Sequence, residues 1–81
     1  YKSIRSDLSR GADFAVEIAN NYAVALMGVG ENSKAEDVFE KILDSNTRVL
    51  APYVNYAILL TDVLKKKKDA LRVISKLKLI T

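Results

Sequence analysis

The sequence predicts an all-α fold: antiparallel helix-turn-helix repeats stacked as a short α-solenoid. Three observations lead there. Asn21-Tyr22-Ala23 returns 34 residues later as Asn55-Tyr56-Ala57, with Leu26 and Leu60 four residues after each tyrosine. Ala35, Val38, Phe39, Lys41 and Ile42 then match Ala70, Val73, Ile74, Lys76 and Leu77, each 35 residues on. Finally, Gly and Pro total only four, too few for the turns of an all-β fold, while the helix formers Ala, Leu, Lys and Glu are abundant. The step from 34 to 35 calls for one extra residue, and "GVGENSK" against "DVLKKKKD" places it in a turn.

Each element is justified by local pattern. Ile4 and Leu8 precede Val38 and Ile42 by 34 residues, and Gly11 stands where a helix would stop. Residues 1–11 therefore read as the end of a preceding repeat's second helix. The first repeat spans 12–46. Asp13 offers an N-cap, and Phe14, Ile18, Tyr22, Ala25, Leu26 and Val29 recur at spacings of three and four as a buried stripe. The Gly28/Gly30 pair ends that helix near residue 29. Ser33 and Glu36 have capping-box spacing, and Ala35, Val38, Phe39 and Ile42 form the stripe of a shorter second helix.

The second repeat spans 50–80. Pro52 suits a first helical turn, where its missing N–H costs nothing. Val54, Ala57, Ile58 and Val63 or Leu64 come next at helical spacing. After the lysine turn, Ala70, Val73, Ile74 and Leu77 mark the last helix. Terminal units of such a stack expose apolar faces, so the chain reads as part of a longer solenoid with neighbouring repeats as its first partners.

This 34-residue unit resembles the tetratricopeptide repeat. Tyr22, Ala23, Leu26, Gly30, Ala35 and Phe39 match that family's pattern in the first copy, and Tyr56, Ala57, Leu60 and Ala70 in the second. The likeness covers Val16 to Ile80. It departs where Ile42 and Leu77 replace a small residue, where no proline stands near Asn46-Thr47, and where lysines replace the turn glycine. The run "VNYAILLTDVLKKKKDAL" is also similar to closing repeats of tetratricopeptide subunits in ciliary trafficking coats of the BBSome class.

The resemblance implies a concave groove lined by first helices, taking a peptide or helix of a partner protein. By position Asn21 and Asn55 face it, each amide offering both donor and acceptor. Glu17, Asn20, Val24 and Met27 share the face, with Val54, Ile58 and Thr61 as counterparts. Val24 and Ile58 stand where a carboxylate clamp would need polar groups, so a hydrophobic or helical partner fits better. Tyr22 and Tyr56 read as packing residues rather than ligand stackers, Ala23 and Ala57 let helices approach, and Met27 fills a gap.

The composition narrows the remaining classes. There is no cysteine, hence no disulfide or thiolate site, and no histidine, which removes the commonest general base and most zinc sets. No phosphate loop is present, since "GVGENSK" lacks the G-x-x-x-x-G-K spacing. Glu36, Asp37 and Glu40 read as surface carboxylates paired with Lys34 and Lys41. The expectation is a non-catalytic scaffold without cofactor or metal, a cytoplasmic or ciliary subunit of a larger assembly. "YAVALMGVG" is too short to span a bilayer. Lys65, Lys66, Lys67 and Lys68, with Arg72, Lys76 and Lys78 nearby, form either a patch for anionic partners or a solvated turn. Two alternatives stand beside the scaffold: a nucleic-acid-binding helical repeat, made less apt by the absence of aromatics among the lysines, and a small self-associating bundle.

Overall fold

The computed structural model describes residues 2–81, with side chains described from Asp13 onward. Among these residues all regular structure is helical: α1 (Lys2–Gly28), α2 (Asn32–Asp44), α3 (Ala51–Ile58) and α4 (Lys67–Ile80). A π-helical turn, Leu59–Val63, extends α3. The short connections fold α1 onto α2 and α3 onto α4, and α3 packs against both helices of the first pair. The fold is thus two helical hairpins side by side. No helix is long and apolar enough to cross a membrane among the residues described.

α1 passes through Gly11 and Asp13 without a break, so no helix ends at Gly11 and Asp13 is not an N-cap. A single glycine costs a helix interior only about 1 kcal/mol, too little to interrupt a favourable run. The side-chain packing expected of Ile4 and Leu8 lies outside the described residues.

The end of α1 is as the sequence predicts. Gly30 adopts φ 84°, a left-handed conformation that glycine accepts without steric cost. The Glu31 N–H donates to the Leu26 carbonyl (2.8 Å) and the Gly30 N–H to that of Met27 (3.1 Å), which is a Schellman closure. α2 then begins at Asn32 behind Glu31, with no side-chain cap. The Ser33/Glu36 capping box does not form, because Ser33 is already inside the helix and the Glu36 carboxylate turns toward Lys66 (3.1 Å).

Between the hairpins, Asn46 takes φ 55°, and the Thr47 hydroxyl accepts from the Val49 N–H at 3.1 Å. The buried Tyr53 hydroxyl donates to the Thr47 carbonyl at 2.6 Å, fixing the linker to α3. Burial raises the Tyr53 hydroxyl above its ordinary pKa. Pro52 occupies the first turn of α3, as expected.

The core joins Ala23 of α1, Ala35, Phe39, Ile42 and Leu43 of α2, Tyr53 and Tyr56 of α3, Leu59 and Leu60 of the π turn, and Ala70 and Val73 of α4. The stripes of α2 and α4 are largely those read from the sequence, with Val38 and Leu77 half-buried and Ile74 more open. The stripes of α1 and α3 are not. Phe14, Ile18, Tyr22, Ala25 and Val29 face outward, and the opposite face, carrying Val16, Ala19, Ala23, Leu26 and Met27, meets the core. Tyr22 is 57% exposed, so it does not pack in this chain. α1 is apolar nearly all round here, and periodicity alone offers two stripes without choosing between them. The alanine-bearing face admits α2 closely. In α3, Val54 and Ile58 are exposed while Pro52, Tyr53 and Tyr56 are buried; beyond it Leu64 rather than Val63 packs inward.

Candidate interaction surface

The expected groove residues divide into two groups. Glu17, Asn21 and Val24 lie exposed on α1, with Val54, Ile58 and Thr61 exposed on α3 and its extension. Asn20 and Met27 do not. Asn20 is 7% exposed, and Met27 packs against the core.

The Asn20 Oδ1 accepts a hydrogen bond from the Asn55 Nδ2 at 3.1 Å, the polar tie between α1 and α3. Asn55 therefore spends its amide donor on the neighbouring helix. Of the two repeat asparagines, Asn21 alone is fully open. The tie also sets the surface geometry. Val24 lies one turn beyond Asn20 on α1, and Val54 and Ile58 stand near Asn55 on α3, all three apolar side chains being exposed. Glu17, Asn21 and Thr61 give them a polar margin.

The lysine run is exposed throughout, Lys66 through to Lys68 included. Lys65 has φ 57° and closes the second hairpin as Gly30 closes the first. The Lys66 ammonium lies 3.1 Å from the Glu36 carboxylate of the other hairpin. Glu36 and Glu40 are thus not held by Lys34 and Lys41. Lys34 pairs with Glu31 (3.6 Å), and Arg72 takes Glu40 (2.6 Å).

A polar cluster between the hairpins escapes sequence reasoning. The Tyr56 ring stacks on Phe39 with centroids 5.3 Å apart and planes at 16°. Its hydroxyl donates to Glu40 at 2.6 Å, with Glu36 at 3.4 Å. Burial, followed by the hydrogen bond to the Glu40 carboxylate, raises the Tyr56 hydroxyl far above its ordinary pKa. Burial alone would raise the Glu40 carboxyl, but hydrogen bonds from Tyr56 and Arg72 outweigh it and hold the group below its ordinary value. The hydrogen bond to Glu40 in turn raises the Arg72 guanidinium, against the smaller opposing effect of burial. These partners are 16 and 32 residues apart, beyond any local spacing. The available hint is the pair Glu36 and Glu40 on the same helix face as Phe39.

Compared with protein-family models, curated proteins and solved structures, the chain matches none. Any functional reading therefore rests on the molecule itself.

Proposed function

We propose that the chain is a non-catalytic, tetratricopeptide-like scaffold whose α1/α3 face takes an apolar helix or peptide of a partner protein within a larger assembly. The observation carrying this reading is the joint exposure of Val24, Val54 and Ile58 across two helices held together by the Asn20–Asn55 hydrogen bond. An aliphatic surface with a polar margin suits the hydrophobic side of an amphipathic helix, read at successive turns. Asn21 and Glu17 supply polar contacts beside it. Asn55 acts through helix spacing, its donor being already engaged.

The test is partner capture with surface variants. Val24→Asp and Ile58→Asp change exposed positions and leave the core intact. Binding partners of the unaltered chain are expected to be lost from both variants and retained by a chain with Lys65, Lys67 and Lys68 changed to Ser. Loss from the lysine variant alone, with steep salt dependence, would instead favour an anionic partner and overturn the proposal.

A further inference from the structure

α1 is 27 residues long, whereas α2 has 13 and α4 has 14. It is as long as two of the other helices, and it carries an apolar stripe that the first hairpin leaves open: Ile18 is 54% exposed and Tyr22 57%. Advanced by the repeat length of 34, Ile18, Tyr22 and Ala25 become Pro52, Tyr56 and Leu59, all buried. Tyr56 stacks on Phe39 of α2, the helix that precedes it in the chain.

The residues that precede Tyr22 on α1 repeat the pattern of α2. Moved back by 35, the spacing between matching positions of α2 and α4, Phe39 becomes Ile4, Leu43 becomes Leu8 and Glu40 becomes Arg5. In the register one residue shorter, Ile4 and Leu8 fall on Val38 and Ile42, which also meet the core. Asn46, which follows α2 with φ 55°, becomes Gly11, and glycine takes a left-handed conformation without steric cost. In α1 as it stands, Gly11 is inside a helix, where only proline is less favourable. The turn that sends α2 back along α3 thus has its counterpart at Gly11, in a helix that runs straight through it.

One ion pair is repeated with its signs exchanged. Glu40 accepts from Arg72 at 2.6 Å across the two hairpins. At the same two places, 35 residues earlier, stand Arg5 and Asp37. Asp37 is exposed on α2. Of the cations near it, Lys34 is held by Glu31 at 3.6 Å and Lys41 lies one turn on. Residues 2–10 carry Lys2, Arg5 and Arg10 against Asp7 alone, and α1 beyond them carries only Asp13 and Glu17. The Glu36–Lys66 pair is not repeated, since its places are taken by Tyr1 and Glu31.

We infer that α1 has a second arrangement, in which it breaks at Gly11 and residues 2–10 fold back as a separate helix over Ile18 and Tyr22, with Arg5 set against Asp37. The occupant of the open stripe is then a segment of the same chain, placed on α1 and α2 as α2 is placed on α3 and α4. The exposed Val24, Val54 and Ile58 take no part, so the inference does not depend on the proposed function.

Distance measurement between two nitroxide labels tests this. The chain has no cysteine, so Ser6→Cys and Val29→Cys give a unique pair clear of the residues invoked. The labels stand about 35 Å apart in the unbroken helix. They come within about 20 Å when the segment lies back along residues 16–28 at ordinary helix–helix spacing. The unaltered chain is expected to show both distances. Gly11→Ala should reduce the short one about fivefold or more, by alanine's advantage over glycine inside a helix and its penalty in a left-handed turn. Asp37→Arg should also reduce it, and adding Arg5→Asp should bring it back. Should either substitution lower helicity by circular dichroism, Gly11→Gln and Asp37→Asn take their places. A long distance alone in the unaltered chain overturns the inference. So does a short distance indifferent to both substitutions, or one that disappears when labelled chain is diluted with unlabelled, since that reports contact with a second copy.

Discussion

Tyr22 and Tyr56 occupy the same position in the repeat, yet substituting them should have very different effects. Tyr56 is 1% exposed, stacked on Phe39 and hydrogen-bonded to Glu40. Truncating a buried aromatic to alanine costs about 3–5 kcal/mol through lost transfer and an unfilled cavity. A domain of this size has roughly 4–12 kcal/mol of total stability, so Tyr56→Ala would leave little cooperative folding. Tyr56→Phe is the graded version. It keeps the ring stack and removes only the hydroxyl donor, at about 1–2 kcal/mol for a hydrogen bond to a charged acceptor that remains partly solvated. In thermal unfolding followed by far-UV circular dichroism that corresponds to a Tm lower by roughly 5–10 °C. Tyr22→Ala, at an exposed site, should stay within about 1 kcal/mol of the unaltered chain when measured under dilute, monomeric conditions. Equal destabilisation by Tyr22→Ala and Tyr56→Ala under those conditions would refute the assignment of one ring to the core and the other to the surface.

The same contacts carry further expectations. Replacing Lys65 by Gly should raise stability by about 1 kcal/mol, because a left-handed backbone is strained for any residue with a Cβ; urea unfolding measures it. Asn55→Ala removes the donor to the buried Asn20 amide and should cost about 1–3 kcal/mol, whereas Asn21→Ala should stay within about 0.5 kcal/mol. Glu40 titrates lower in the folded chain than in the unfolded one, so its contribution is present above the ordinary carboxylate range near ~4.3 and is lost as the pH falls through the folded value. Tyr56 is raised, so its contribution is full below pH ~10 and declines above it as the unfolded chain ionises. Thermal melts across pH should show both slopes, with the alkaline one reduced in Tyr56→Phe.

Helix content, the two turns and the stripes of α2 and α4 are legible in the sequence because local chemistry decides them. Gly30 in the left-handed conformation closes α1 just beyond Gly28, and α2 has one apolar face with charges opposite. The buried faces of α1 and α3 are illegible for the converse reason. Between Asp13 and Val29 the helix has apolar residues on two faces, and only the arrival of α2 and α3 determines which is buried. The exposed positions of α1 and α3 are legible in part. Val24, Ile58 and Asn21 are placed by helical phase, but the union of Asn20 with Asn55 is a contact between helices that no spacing reveals. Tyr56 with Glu40 and Arg72 is of the same kind.

The extra residue of the second repeat shows how the chain reconciles sequence length with packing. Alignment of the two copies places it in the turn, yet the turn is closed much as in the first copy, with Lys65 in the left-handed conformation of Gly30. The surplus is taken up before it. In the first hairpin the closing bond runs five residues, from Glu31 N–H to Leu26; in the second it runs six, from Lys66 N–H to Leu60, at 2.7 Å. That widened loop overlaps the π turn Leu59–Val63, closed by the Leu64 N–H on the Leu59 carbonyl at 2.9 Å, which accommodates one added residue. Leu59 and Leu60 at its start remain fully buried, and Ala70 and Val73 beyond it still meet the core. Had the residue entered the exposed turn instead, α3 would have ended as regular helix and its last leucines would have been carried by an unmodified phase. The π turn instead rotates the residues at its C-terminal end, bringing Leu64 inward and leaving Val63 outside. An inserted residue is thus absorbed where backbone hydrogen bonding can be regrouped, and the hairpin's contacts on both sides are preserved.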